Sequence, residues 1–139
     1  MERAMTQQLV EKAAAPDTVA MITDTEGEAM ARAAVNLFRH WSITDAEACV
    51  LLGGVSKRTY ARWKDGEIGR LTIDQKTRLS ILMGIHKALR ILFTEKARVH
   101  EWVKKSNKAF GGRSAIDIML GGYLTDLFRV RHYLDAARG

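Results

Sequence analysis

The sequence predicts an all-α protein, a helix-turn-helix bundle followed by a small C-terminal helical module. Three observations predict it. Apolar residues recur at three- and four-residue spacing along most of the chain after residue 26. No segment shows the apolar–polar alternation and β-branched enrichment of a strand. A Ser or Thr followed three residues later by Glu, Gln or Asp, the signature of a helix start, occurs at Thr44, Thr72 and Ser114.

Residues 1–26 mix small, polar and acidic side chains around the one proline, Pro16, and are expected to form a flexible arm. From Glu28, Met30, Ala33, Ala34, Leu37, Phe38 and Trp41 make one stripe of a helix. Thr44 and Glu47 form a capping box for a second helix that Gly53-Gly54 stops. Ser56 caps a third, with Val55 and Tyr60 spaced as a hydrophobic staple, and Asp65-Gly66 ends it. Thr72 and Gln75 open a long helix. Its face Leu79, Leu82, Met83, His86 and Leu89 is widened by Ile81, Ile85, Ala88 and Leu92, so it is expected to be central and largely buried. Thr94 stands where a cap belongs for a helix carrying Ala97, Val99, Trp102 and Val103. Gly111-Gly112 then turns the chain, Ser114 caps a helix with Asp117, and Gly121-Gly122 separates it from a last amphipathic helix. The expected divisions are an arm over 1–26, a helix-turn-helix domain over 27–93 and a C-terminal domain over 94–139.

With 139 residues, 47% apolar and 27% charged, the chain can bury one ordinary core or two small ones packed together. The net charge of +6 is unevenly spread. Residues 1–26 carry more acids than bases, whereas Ser56 to Lys64 holds Lys57, Arg58, Arg62 and Lys64 with no acid. One cysteine, Cys49, excludes an internal disulfide and fits a reducing compartment. No stretch is long and apolar enough to cross a bilayer, and Met1 to Pro16 lacks the apolar centre of a secretory signal. A cytoplasmic protein without a membrane partner is expected.

Asp45 to Gly66 reads as a helix-turn-helix whose second helix has a basic outer face. Arg58 and Arg62 lie one turn apart, as do Lys57, Ala61 and Lys64, while Tyr60 and Trp63 can turn inward. Ser56, Lys57, Arg58, Thr59, Arg62 and Lys64 are therefore the candidate DNA contacts, arginines for phosphates or guanine edges and hydroxyls for backbone oxygens. A solvated basic face on a structural helix pair fits the same residues. Two glycines also stand where such motifs usually have one.

Arg58-Thr-Tyr-Ala-Arg-Trp63, Arg78 to Phe93, Trp102 and Asn107-Lys-Ala-Phe-Gly-Gly-Arg-Ser114 occur in that order. Their succession, and the continuation through Arg131-His-Tyr-Leu-Asp135, resembles the Xre/MbcA/ParS-like antitoxins of bacterial type II toxin–antitoxin pairs. The resemblance covers about Trp41 to Gly139 and is more specific in the C-terminal part. It implies a Cro-like N-terminal domain, a C-terminal toxin-binding domain that blocks the active site of a cognate toxin, and, for many such pairs, a RES-domain toxin that consumes NAD. It places toxin contacts on Asn107, Phe110, Arg113 and Ser114 in the turn and on Arg129, Arg131, Tyr133 and Asp135 in the last helix. Leu120, Leu127, Val130 and Leu134, at helical spacing, fit the module's own core, and Phe110 fits core and docking equally. Operator binding would add autoregulation and a homodimer, because two recognition helices must span successive major grooves. The alternative is a stand-alone regulator whose C-terminal module only oligomerises.

An enzymatic reading finds little. His40, His86, His100 and His132 are far apart in sequence with no second ligand at metal spacing, so neither metal nor cofactor is expected. His86 lies on an apolar face and reads as a core histidine bonded to a neighbour. Gly111-Gly-Arg-Ser114 lacks the Lys-Ser/Thr end of a P-loop and a preceding strand, and Ser114 lacks the second glycine of a nucleophile elbow. Asp117 and Asp126 read as carboxylates in first turns of helices.

Overall fold

The computed structural model describes residues 22–139. The helices are α1 Asp24–His40, α2 Asp45–Leu51, α3 Lys57–Lys64, α4 Ile73–Leu92, α5 Lys96–Glu101, α6 Ala115–Met119 and α7 Leu124–Arg138. Single 3-10 turns at Trp102–Lys104 and Lys108–Phe110 join α5 to α6. Among the described residues there is no strand, only an isolated bridge between Ser106 and Ser114. The chain is all-α, a helix-turn-helix part followed by a C-terminal helical part.

Local chemistry accounts for the boundaries. Thr44, Thr72 and Ser114 each accept from the backbone N–H three residues on, and Glu47, Gln75 and Asp117 return the bond. Two starts differ from expectation. The first helix begins at Asp24, inside the stretch read as an arm, because Thr23 accepts from the Glu26 N–H and caps it. The expectation for residues 1–21 lies outside the described residues. Thr94 does not cap α5: Glu95 occupies that position and makes no side-chain bond, so this short helix starts without the stabilisation a hydroxyl cap supplies.

One apolar cluster runs through every helix. α4 is its axis. Leu79, Leu82, Ile85 and Leu89 are wholly enclosed, and the helix packs along α1 on one side and α7 on the other. Phe38 from α1 and its C-cap Trp41, Leu51 from α2 and its C-cap Leu52, and Leu127 and Leu134 from α7 complete the interior. Ala33, placed by spacing on the apolar stripe of α1, is exposed, and Ala31 and Val35 are buried instead.

Candidate functional site

The helix-turn-helix is built by its caps and its two glycines. Ser56 Oγ accepts from the Thr59 N–H and donates to Thr59 Oγ1, both at 3.0 Å, so each hydroxyl is engaged in starting α3. Tyr60 and Trp63 are buried and anchor the helix, with Val55 packed against the same core. Burial, and then the nearby Asp45 carboxylate, pushes the Tyr60 pKa up to about 12, so it stays a neutral phenol. Lys57, Arg58 and Arg62 face outward, and among the described residues none has an ion-pair partner. Lys64 is different. Its Nζ lies 2.7 Å from Asp45 Oδ2, tying α3 to the first turn of α2. Cys49 is buried, and that burial raises its thiol pKa.

Both turn glycines are left-handed, at φ +87° and +89°. Gly53 has a second requirement: a Cβ there would fall 2.6 Å from Asp74 Oδ2 and 2.7 Å from Arg78 Nε. Arg78 is a residue the sequence reasoning missed. Buried in α4, it donates from Nε to Asp74 at 3.0 Å, from Nη1 to the Leu51 carbonyl at 3.4 Å and from Nη2 to the Gly122 carbonyl at 3.0 Å. It therefore binds the helix-turn-helix turn to the turn between α6 and α7. The available signal was a guanidinium one turn beyond Asp74, set on the flank of an apolar arc.

In the C-terminal turn Asn107 is the organiser. Its Oδ1 accepts from the Ala109 N–H at 2.9 Å, and its carbonyl accepts from Phe110 and Gly112 at 3.0 Å each. Gly111 and Gly112, at φ +66° and +87°, complete the reversal. Ser114 is only 6% exposed, and its hydroxyl caps α6 by accepting from the Asp117 N–H at 3.1 Å. Phe110 is 3% exposed and sits edge-on to Trp102 and Tyr133, with the Arg129 guanidinium 5.5 Å above its ring. Both side chains support the turn from within, because capping and packing draw them inward.

The other candidates divide into two groups. Arg129, exposed, and Tyr133, half-buried, border the Phe110 cluster, where Tyr133 also stacks on Trp102 at 6.0 Å. Arg113 is exposed on the turn and donates to the Asp117 carbonyl at 3.0 Å. Arg131 lies instead across α4, so close that a Cβ at Gly84 would meet its Cζ at 2.7 Å. Asp135 stands between Arg131 and Arg138 at 3.7 and 3.8 Å. Leu127, Val130 and Leu134 fill the core, with Leu120 half-buried at its margin. Asp117 and Asp126 accept from the backbone N–H groups of Ser114 and Tyr123 at 3.4 and 3.1 Å, as first-turn carboxylates do.

Three of the histidines, remote in sequence, meet in space. His40 and His100 stack at 4.4 Å, and His100 and His86 at 6.0 Å, all nearly parallel. The expected bonded neighbour of His86 is not found among the described residues: its Nδ1, like that of His100, is buried without a hydrogen-bond partner there. Among the described residues no three His, Cys, Asp or Glu side chains are placed to hold one metal ion, and no helix is long and apolar enough to cross a membrane.

A helix-turn-helix with a basic outer face is joined through one core to a small helical hairpin. Matches to known families agree part by part. The antitoxin Xre-like helix-turn-helix domain matches residues 20–84, and the antitoxin Xre/MbcA/ParS C-terminal toxin-binding domain matches residues 88–139. The chain belongs to the Xre/MbcA/ParS-like antitoxin family. It is 43% identical over 99 residues to a protein of Sinorhizobium fredii (strain NBRC 101917 / NGR234) described as Uncharacterized protein y4oB, over 71% of this chain and 76% of that protein. No solved structure matches it.

Proposed function

We propose that this antitoxin neutralises its toxin by occluding the toxin's active site with the C-terminal turn and last helix, and represses its own operon as a cytoplasmic homodimer through α3. The observation that carries the reading is the coincidence of the matched toxin-binding region with a rigid turn bordered by Arg113, Arg129 and Tyr133. In this reading Asn107, Phe110 and Ser114 hold the turn's shape, while Arg131 and Asp135 form the edge nearer α4. A RES-domain, NAD-consuming toxin is the proposed partner, from the family resemblance. A positive group set where a substrate phosphate would sit is a chemically direct way to block such an enzyme. The functional division proposed is 27–93 for DNA and 94–139 for toxin, with no catalytic residue in either.

The test co-expresses the full-length chain with the protein encoded by the adjacent gene, scoring growth and co-purification. Arg113→Glu with Arg129→Glu is expected to lose rescue and complex while the fold survives, because both side chains are at the surface. Retained rescue would overturn the docking assignment. The free cations on α3 support a DNA role. Arg58→Ala with Arg62→Ala is expected to abolish operator binding and leave neutralisation intact, and the wild-type affinity should fall by roughly 0.9 log unit per log unit of salt for each phosphate neutralised. Operator binding with no toxin complex would favour the stand-alone regulator with an oligomerising C-terminal module.

A further inference from the structure

Between α1, α4 and α5 lies a cavity of about 410 Å³, within the range of small-molecule sites. Leu37 and Val99 give it an apolar floor, and Asn36 and Met83 contribute to its wall. The remaining chemistry is cationic or can become so: His40 from α1, His86 and Arg90 from α4, and Lys96 and His100 from α5. Among the described residues no carboxylate lines it. Arg90 and Lys96 are exposed, and among the described residues neither has an ion-pair partner. A concave site holding two fixed cations and three imidazoles, with no counter-charge from the described residues, concentrates positive potential.

We propose that this cavity binds a small organic anion, a phosphate group carried on an apolar or aromatic body. The volume and apolar floor suit an organic body. Arg90 and Lys96 suit a dianionic phosphate at the mouth. The geometry disfavours a metal ion, because rings stacked in a column do not converge their nitrogens on one point.

Binding is coupled to protons. Burial first, and then neighbouring positive charge, holds His86 and His100 below the ordinary imidazole value. For His86 the charges are those of His100, Arg90 and His40, and for His100 those of His40 and Lys96. An anion in the cavity reverses that repulsion, so the imidazoles take up protons as it binds. The inference is independent of the proposed toxin and operator contacts, whose residues lie elsewhere.

The test is calorimetric titration of the full-length chain with phenyl phosphate, benzoate, inorganic phosphate and phenol at pH 6 and pH 8. Phenyl phosphate is expected to bind at least about tenfold more tightly than inorganic phosphate or phenol, since only it uses both the cationic mouth and the apolar floor. Its affinity should fall as pH rises, by up to about tenfold per pH unit for each imidazole that takes up a proton. Arg90→Ala with Lys96→Ala should remove binding, and His86→Gln should flatten its pH dependence. Side-chain nitrogen resonances of His86 and His100 in the wild-type protein should shift on adding phenyl phosphate, a readout that needs no variant. Benzoate binding as tightly as phenyl phosphate would overturn the phosphate assignment. No heat and no histidine shift with phenyl phosphate at pH 6, or binding unchanged in the double variant, would overturn the site.

Discussion

Arg78 concentrates several constraints in one side chain. Its guanidinium is buried, serves Asp74 and two carbonyls, and forbids a side chain at Gly53. Arg78→Ala is expected to cost about 3 kcal/mol in urea unfolding, because it strands two carbonyls and removes a charge-assisted pair. Gly54→Ala should cost about 1 kcal/mol for its left-handed backbone alone. Gly53→Ala should cost at least about 2 kcal/mol, adding the collision with Arg78 to the same backbone strain. Equal losses at the two glycines would contradict this ordering. At His86 the sign follows from its depressed pKa. The unfolded imidazole takes a proton near 6.5 while the folded one resists, so stability is complete above that value and falls as the pH drops below it. Melting followed from pH 8 to pH 5 should show this decline, and His86→Gln should make it shallower.

Among the elements, those whose starts are encoded within four residues were legible from sequence. Thr44, Ser56, Thr72 and Ser114 each meet their partner three residues on, so spacing alone locates the helix. Thr94 misled because a hydroxyl near a helix start does not by itself make a cap. Contacts that the tertiary fold creates were not legible in the same way. Nothing in the neighbourhood of positions 40, 86 and 100 announces that three helices will stack their imidazoles. The inward turn of Phe110 likewise depends on Trp102 and Tyr133 arriving from different elements. The basic face of α3 was legible from helical period, but the capture of Lys64 by Asp45 depends on how α3 crosses α2. Ser114→Ala is expected to lower stability by about 1 to 2 kcal/mol, as the loss of a buried N-cap would, measurable as a lower urea midpoint. Lys64→Ala should change it by less than about 1 kcal/mol, because its ion pair is open to solvent.

At the scale of the whole molecule, the expectation of one core or two resolves to one. α4 carries α1 on one side and α7 on the other, and Arg78 ties the first turn region to the last. Removing residues 107–139 would uncover the face of α4 that α7 covers. The truncated chain is therefore expected to lose cooperative melting by circular dichroism, and surface substitutions are the cleaner way to separate the two binding roles. The shared α4 has a further consequence. A protein made of two independent beads can lose one and keep the other, whereas here any strain or cleavage that opens either end takes the common beam with it. Both ends of the chain are therefore expected to unfold in one transition, because they rest on the same helix.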